Sequence, residues 1–258
     1  MVTLKSCVGP EVAPLLGPGD PEPVFVQSRG AGAPFLLVCD HAGRTIPSSL
    51  GKLGLDGHAL DRHIAWDIGA GSLTLRLAES LGACAVLQPY SRLVTDCNRD
   101  PTRPDAMPEV SDGTAIPGNA DLTPEQRQAR IEAIHTPYHA EIAELLDGFA
   151  DPPLLVLVHS FTPKMGGIAR PWQVGVLHRG GAVSLRLLEL LRAEPGLVLG
   201  DNQPYAMDEV DYTAPRHADA RGLDFLELEI RQDLLADAAG QATVAALLSR
   251  LLPQVARS

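Results

Sequence analysis

The sequence predicts an α/β protein in which a mainly parallel, mixed sheet forms the middle of three layers, with helices on both faces. Short apolar runs alternate with longer segments whose apolar residues recur at helical spacing. The runs are rich in Leu and Val and lack polar alternation, which indicates strands buried on both faces. No repeat or linker-like tract divides the 258 residues, so a single domain over residues 1–258 is expected.

The first elements follow from composition and periodicity. Residues 1–20 are rich in Gly and Pro and are expected to form a loosely ordered lead-in. Residues 23–27 could form a short edge strand, and the run PFLLVC at 34–39 is typical of a buried strand. Residues 64–81 carry apolar side chains at helical spacing and stop before Gly82, as expected at a helix C-terminus. This half of the chain therefore predicts a strand–helix unit.

The rest of the chain repeats this alternation. Strands are expected at 83–87 and 92–95, followed by a Pro-, Asp- and Gly-rich loop over 100–123, which is long enough to be a candidate lid. Thr123 followed by Pro124 is a helix start, and that helix should run to about residue 146. The remaining expected strands are 154–158, 174–177, 197–199 and 225–230, and the remaining expected helices are 182–192 and 234–252.

The composition argues against several classes of partner. The formal net charge of −11 disfavours nonspecific binding to nucleic acid or to anionic membrane. No apolar run approaches the roughly 20 residues of a membrane helix, and no signal peptide is recognisable. The four cysteines are scattered, which favours free thiols in a reducing compartment. A cytoplasmic protein that binds a small molecule is therefore expected, and the oligomeric state is left open.

Ligand-type side chains follow the predicted strands. Ligands in such sheets bind beyond the carboxyl ends of strands. His41 follows the first buried run, His159 follows the run LLVLV, and Asp67 is expected at the opening of the first long helix. Two histidines and a carboxylate are a common set for catalytic zinc, which keeps a fourth position for water. These three residues are therefore the predicted metal ligands, and Glu229 on the last strand is the predicted general base.

Structural roles for these residues stand beside the catalytic ones. A histidine after a strand is often a hydrogen-bonded structural residue, and Asp67 could simply favour the positive end of its helix. Glu227 alternates with Glu229, so the strand pattern does not by itself select one carboxylate. His135 and His139 are one helical turn apart and could imitate a metal pair, but a solvated or core-edge role is favoured.

Short motifs spread over residues 34–235 resemble those of a known family. In chain order they are CDHAG (39–43) with IP (46–47), WDIG (66–69), DCNR (96–99), IPGN (116–119), PYH (137–139), VHSF (158–161), HA (217–218) and EIRQD (229–233). In number and order they are similar to the N-formylglutamate amidohydrolases. The resemblance implies a zinc-peptidase-like α/β fold and hydrolysis of N-formyl-L-glutamate to formate and L-glutamate, a step of histidine breakdown.

The resemblance also implies roles for individual residues. The family pattern of a first histidine, an acidic ligand, a second histidine and a late glutamate falls on His41, Asp67, His159 and Glu229, with one Zn²⁺ or another divalent metal per chain. The acidic ligand is often Glu in the wider group, and the shorter Asp here is a departure.

A dicarboxylate substrate needs cationic anchors, and a developing oxyanion needs a donor. The substrate-binding candidates are Asn98, Arg99, Arg170 and Arg231, and His217 is the catalytic candidate beside the oxyanion. Two other functions remain open. One is hydrolysis of another small amide, such as a different N-acyl amino acid, on the same zinc site. The other is a metal-free binding protein that has kept the fold, which would hold no metal and hydrolyse no acyl amino acid.

Overall fold

The computed structural model describes residues 14–28, 33–207 and 211–256. Seven of its strands form one mixed sheet, and four short strands form two separate hairpins. The strands are β1 (Phe25–Gln27), β2 (Phe35–Cys39), β3 (Cys84–Leu87), β4 (Val110–Ser111), β5 (Thr114–Ala115), β6 (Leu154–Phe161), β7 (Lys164–Met165), β8 (Ile168–Ala169), β9 (Val174–Leu177), β10 (Leu199–Asp201) and β11 (Phe225–Arg231).

The main sheet runs in the order β1-β3-β2-β6-β11-β9-β10. Its four central strands, β3, β2, β6 and β11, are parallel to one another. β9 and β10 are parallel to each other and antiparallel to β11, and β1 is an antiparallel edge strand. The predicted fold class, a mainly parallel mixed sheet flanked by helices, is confirmed.

The helices cover both faces of this sheet. They are α1 (Gly57–Asp61), α2 (Ala70–Leu81), α3 (Pro124–Arg130), α4 (Thr136–Asp147), α5 (Ala182–Arg192), α6 (Thr213–His217) and α7 (Ala238–Val255). The predicted helix after Thr123 begins with a capping box and continues from α3 through a π-helical segment, Ile131–His135, into α4. Among the described helices, none combines the length and hydrophobicity that crossing a bilayer requires.

Alternate residues of the central strands belong to two separate hydrophobic cores. On β11, Leu226, Leu228 and Ile230 lie in the core shared with α2, α5 and α7. Successive side chains of a strand point to opposite faces, so Glu227 and Glu229 point to the other face. That face carries the second core, which includes residues of α4. The alternation thus places two carboxylates on one face of the sheet, at the edge where the parallel strands end.

Several boundaries differ from the prediction. Residues 92–95 form a turn and not a strand, and the strand expected at 197–199 is Leu199–Asp201. The helix expected from residue 64 begins at Ala70, because the backbone N–H of Asp67 donates to the carbonyl of His41 at 2.9 Å and fixes a turn there. The closing helix begins at Ala238, after a 3-10 turn at Gln232–Leu235.

The two segments expected to be irregular contain ordered structure. In the lead-in, Asp20 accepts hydrogen bonds from the backbone of Gly17 at 2.8 Å and of Ser48 at 2.9 Å. Residues 1–13 lie outside the described residues, so the prediction of a single domain over residues 1–258 stays a prediction. The loop at 100–123 contains 3-10 turns and the β4–β5 hairpin.

Candidate metal centre and active site

Three buried side chains meet where the parallel strands end. His41 lies two residues after β2, His159 lies near the end of β6, and Asp67 lies in the turn before α2. Oδ2 of Asp67 is 3.4 Å from Nδ1 of His41 and 3.0 Å from Nδ1 of His159. One ligand atom from each residue lies within 4.8 Å of the other two. The structure thus brings together the three residues expected to bind a metal.

The spacing of these atoms fits a tetrahedral ion. Zinc bonds of about 2.0–2.2 Å place neighbouring ligand atoms about 3.3 Å apart in a tetrahedral site. The distances of 3.4 and 3.0 Å from Asp67 to the two rings are close to that value. Nδ1 of His41 is buried and has no hydrogen-bond partner among the described residues. A buried ring nitrogen without a partner fits a metal ligand, since buried polar atoms otherwise find partners.

Carboxylates lie behind both rings. Nε2 of His41 is 2.6 Å from Oδ1 of Asp96, and Nε2 of His159 is 3.4 Å from Oδ2 of Asp40. Asp40 is itself held by two buried hydroxyl groups, at 2.8 and 2.9 Å. Histidines that bind metals usually direct the second nitrogen at such an acceptor, which fixes the ring and its tautomer. Nδ1 of His41 is thus left without a hydrogen-bond partner among the described residues, whereas Nδ1 of His159 forms a hydrogen bond with Oδ2 of Asp67 at 3.0 Å.

The two histidines differ in protonation. Burial, together with the charge of Arg92, lowers the pKa of His41 to about 4, so its ring is neutral near pH 7. For His159 burial acts to lower the pKa, but the hydrogen bond to Asp40 and the charge of Glu227 outweigh it and raise the pKa to about 10. A metal ligand must be neutral imidazole, so His159 would have to lose its second ring proton to hold an ion here.

Arg92 is a site residue that the sequence analysis missed. Its Nη2 donates to Oδ1 of Asp67, while the backbone N–H of Ser160 donates to Oδ2 at 3.3 Å. Arg92 therefore holds one oxygen of Asp67 away from the histidines and leaves Oδ2 facing them. No local motif marks this role, because the turn that carries Arg92 is held by a backbone bond to the carbonyl of Ala65.

Glu229 lies beside the proposed ligands in the sheet register. It is opposite His159 on β6 and opposite Gly175 on β9. A side chain at Gly175 would lie 3.3 Å from Cβ of Glu229, so the glycine leaves room for the carboxylate. Burial raises the pKa of Glu229 to about 7 and that of Glu227 to about 8. A carboxyl group that titrates near neutrality can both accept and donate a proton in one catalytic cycle.

These side chains line an inner cavity of about 220 Å³. Asn98 and Arg99, predicted to bind substrate, both line it. Oδ1 of Asn98 accepts the backbone N–H groups of Tyr212 and Thr213 at 3.0 and 2.9 Å, which fixes its amide. The other residues that line the cavity are His41, His63, Asp67, Arg92, His159, Ser160, Leu177, Tyr205, Ala206, Asp211, Glu227 and Glu229.

Three predicted site residues do not line this cavity. Arg170 donates to the Tyr205 hydroxyl at 2.9 Å and so supports a residue that does line it. Arg231 donates to Asp233 at 2.7 and 3.1 Å and to backbone carbonyls, because β11 ends there and its side chain turns back. Nε2 of His217 lies 2.9 Å from Nδ1 of His139, in the packing behind the cavity. Their expected contacts with substrate stay predictions.

The histidines on the π-helix and α4 are buried, which excludes the solvated role and leaves the core-edge role. Nε2 of His139 lies 2.9 Å from the carbonyl of Cys97, and Nε2 of His135 lies 3.2 Å from the carbonyl of Arg99. These bonds hold the segment that carries Asp96. The π-helical segment shifts the register of the helix, which periodicity alone does not predict.

Comparisons with known proteins agree with this architecture. Gene product Atu2144 from Agrobacterium tumefaciens has a crystal structure that is 35% identical over 93% of this chain and 97% of that chain, with a TM-score of 0.89. N-formylglutamate amidohydrolase from Ralstonia eutropha JMP134 is 21% identical over 91% of this chain and 97% of that chain, with a TM-score of 0.67. The second similarity shows the fold alone.

A comparison with curated proteins finds no match. The family profile of the N-formylglutamate amidohydrolases matches residues 33–236, which is most of the chain and includes every proposed metal ligand. The sequence resemblance, the match to the family profile and the shared fold lead to one assignment. The chain belongs to the N-formylglutamate amidohydrolase family and is an amidohydrolase.

Proposed function

We propose that this amidohydrolase is metal-dependent and hydrolyses N-acyl amino acids, with N-formyl-L-glutamate as the first substrate to test. The observation that carries the proposal is the convergence of His41, Asp67 and His159 beside Glu229. Two imidazole nitrogens and one carboxylate oxygen favour Zn²⁺, one per chain, although another divalent ion can bind such a set. As the family resemblance implies, the reaction would be a cytoplasmic step of histidine breakdown.

The metal would supply Lewis-acid chemistry, polarising the amide carbonyl and lowering the pKa of water at the site to about 7. Glu229 supplies the proton transfers. Its Oε2 is buried and has no hydrogen-bond partner among the described residues, so it is available to the attacking water. The carboxylate accepts the water proton as the oxygen adds to the carbonyl carbon. The same proton then goes to the leaving nitrogen as the C–N bond breaks.

Substrate orientation would come from two other residues that line the inner cavity. Arg99 and the fixed amide of Asn98 would bind the carboxylates of the amino-acid part, since guanidinium pairs with carboxylate in a defined geometry. Arg92 lies near Glu229, and the charge of each acts on the pKa of the other. A cation at that position can stabilise negative charge that develops on the carbonyl oxygen.

Metal analysis together with product analysis tests the proposal. Protein purified without chelator is assayed for metal by elemental analysis, and formate release from N-formyl-L-glutamate is measured on the same preparation. Zinc near one per chain with formate release supports both the site and the substrate. Zinc without formate release would still support the metal site, and other N-acyl amino acids would then be tested as substrates. Absence of both, even after zinc is added, refutes the proposal and favours the metal-free binding protein.

A further inference from the structure

A second, larger cavity lies beside the inner one. It has a volume of about 470 Å³, roughly twice that of the inner cavity at about 220 Å³. His63, Arg92 and Tyr205 line both cavities, so the two lie next to each other. Of these two cavities, the outer one reaches the roughly 300–1,000 Å³ typical of small-molecule sites and the inner one does not. A formyl group has a single carbon, so a formyl substrate would place no group in the outer cavity.

Arginine hydrogen bonds fix the two hairpins that wall the outer cavity. Arg62 donates to Thr114 at 2.6 Å and to Asp112 at 2.7 Å, which ties down the β4–β5 hairpin. Arg170 donates to Tyr205 at 2.9 Å and lies 2.6 Å from Sδ of Met165 in the β7–β8 hairpin. Both arginines are thus engaged in holding the walls.

The lining of the outer cavity offers polar atoms without partners. Nδ1 of His63, Nε of Arg92 and Oε1 of Gln232 are buried and have no hydrogen-bond partner among the described residues. Buried polar atoms are rarely left in this state, so the wall of the outer cavity keeps unused hydrogen-bonding capacity. Lys164, exposed on the β7–β8 hairpin, also lines the cavity and forms no ion pair with a carboxylate in the described part of the chain.

We propose that the preferred substrate carries an acyl group longer than formyl, ending in a carboxylate that binds Lys164 in the outer cavity. This inference rests on the proposed function. Asn98 and Arg99 line only the inner of the two cavities, so with the amino-acid part held there the acyl group would pass Arg92 and Tyr205, which line both. The substrate class is therefore an N-acyl amino acid whose acyl part is a short dicarboxylic acid.

An acyl series tests this inference. On zinc-loaded protein, kcat/KM is measured for N-formyl-, N-butanoyl-, N-pentanoyl-, N-succinyl- and N-glutaryl-L-glutamate. The succinyl and glutaryl compounds have the carbon count of the neutral pair but end in a carboxylate. We expect the better dicarboxylic substrate to have a kcat/KM about tenfold higher than that of its neutral counterpart and of the formyl compound. A hydrogen bond to a charged group would produce a difference of this size.

The matched variants are Lys164→Met and Lys52→Met, which each remove one exposed lysine charge. Lys164→Met should raise KM for the dicarboxylic acyl compound about threefold to tenfold, because an exposed pair is screened by solvent. Its kcat/KM for N-formyl-L-glutamate should change less than that for the dicarboxylic acyl compound, since the formyl group has no carboxylate to pair with Lys164. Lys52→Met should change neither value.

Binding to a Glu229→Gln variant provides a readout that does not depend on turnover. Calorimetry should show tighter binding of the dicarboxylic than of the neutral acyl compound, and the difference should shrink when Lys164→Met is added. Equal affinities overturn the inference while leaving N-formyl-L-glutamate hydrolysis intact. Preference for N-formyl-L-glutamyl-L-glutamate over every long acyl compound also overturns it, because the cavity would then accept the amine side. Selective binding without hydrolysis of any compound would instead overturn the proposed function.

Discussion

Replacing Asp96 with Asn tests whether the carboxylate behind His41 controls metal affinity. Oδ1 of Asp96 lies 2.6 Å from Nε2 of His41 and also accepts the backbone N–H of Asn98 at 2.9 Å. Asn keeps the shape and one carbonyl acceptor, so the ring orientation should be retained. What is lost is the negative charge that makes the ring a stronger ligand.

The expected magnitude follows from this geometry. Loss of such a partner typically lowers metal affinity 10- to 100-fold, or about 1.4–3 kcal/mol. Asp96→Asn should lie near tenfold because an acceptor remains, and Asp96→Ala should approach 100-fold because none does. Asp147→Asn is the matched control, since Asp147 is exposed and pairs with Arg221 at 2.9 Å, away from the cavity.

The assay is competition for Zn²⁺ against a chromophoric chelator at pH 7.5. Thermal unfolding of the metal-free proteins checks that each variant is folded. A folded Asp96→Asn protein whose zinc Kd stays within twofold of the parent would refute the assigned role of Asp96. An equal loss in Asp147→Asn would show that the effect is general charge and not the hydrogen bond to His41.

Four other changes have defined outcomes. Glu229→Gln should keep its zinc and lose about 10²- to 10⁴-fold in kcat, and near-normal turnover would remove Glu229 as the base. His41→Ala should lose stoichiometric zinc by elemental analysis, and retained zinc would exclude His41 as a ligand. Gly175→Ala places Cβ 2.2 Å from a backbone carbonyl oxygen and should lower the urea-measured free energy of unfolding by about 1–3 kcal/mol. In Gly148→Ala the nearest atom is 3.4 Å away, and that control should unfold like the parent. Burial lowers the pKa of His217 to about 4, below the unfolded value of about 6.5. The contribution of neutral His217 to the free energy of unfolding is therefore complete above pH 6.5. This contribution falls by roughly 3 kcal/mol as the pH drops to 4. Urea unfolding of metal-free protein should show a smaller acid loss for His217→Gln, and an equal loss would contradict the assignment.

The fold was predictable because the central strands are buried on both faces. Runs such as PFLLVC and LLVLV are apolar at every position, and the structure places them side by side as β2 and β6. Boundaries were less predictable where a tertiary contact replaces a local one. The hydrogen bond from the backbone N–H of Asp67 to the carbonyl of His41 fixes the turn before α2. No property of residues 64–69 alone indicates this hydrogen bond.

Positions at strand ends explain why the proposed ligands were found from the sequence. His41 and His159 each follow an apolar run, and parallel strands deliver such residues to one edge of the sheet. The supporting residues have no comparable signal, because their contacts join distant parts of the chain. Asp96 is 55 residues from His41, and Thr213 is 173 residues from Asp40.

The same reasoning applies to Arg92, which the sequence analysis missed, and to His217, whose predicted catalytic role stays a prediction. Arg92 lies in a segment that looked like a strand, yet its turn directs the guanidinium at Asp67. His217 lies in a motif shared with the family, yet α6 packs it against His139 behind the cavity. A motif identifies residues that the fold needs, but only the tertiary contacts separate those that face the cavity from those that hold its walls. If so, substitutions at Arg92 should alter both metal affinity and KM, whereas substitutions at His217 should act through stability.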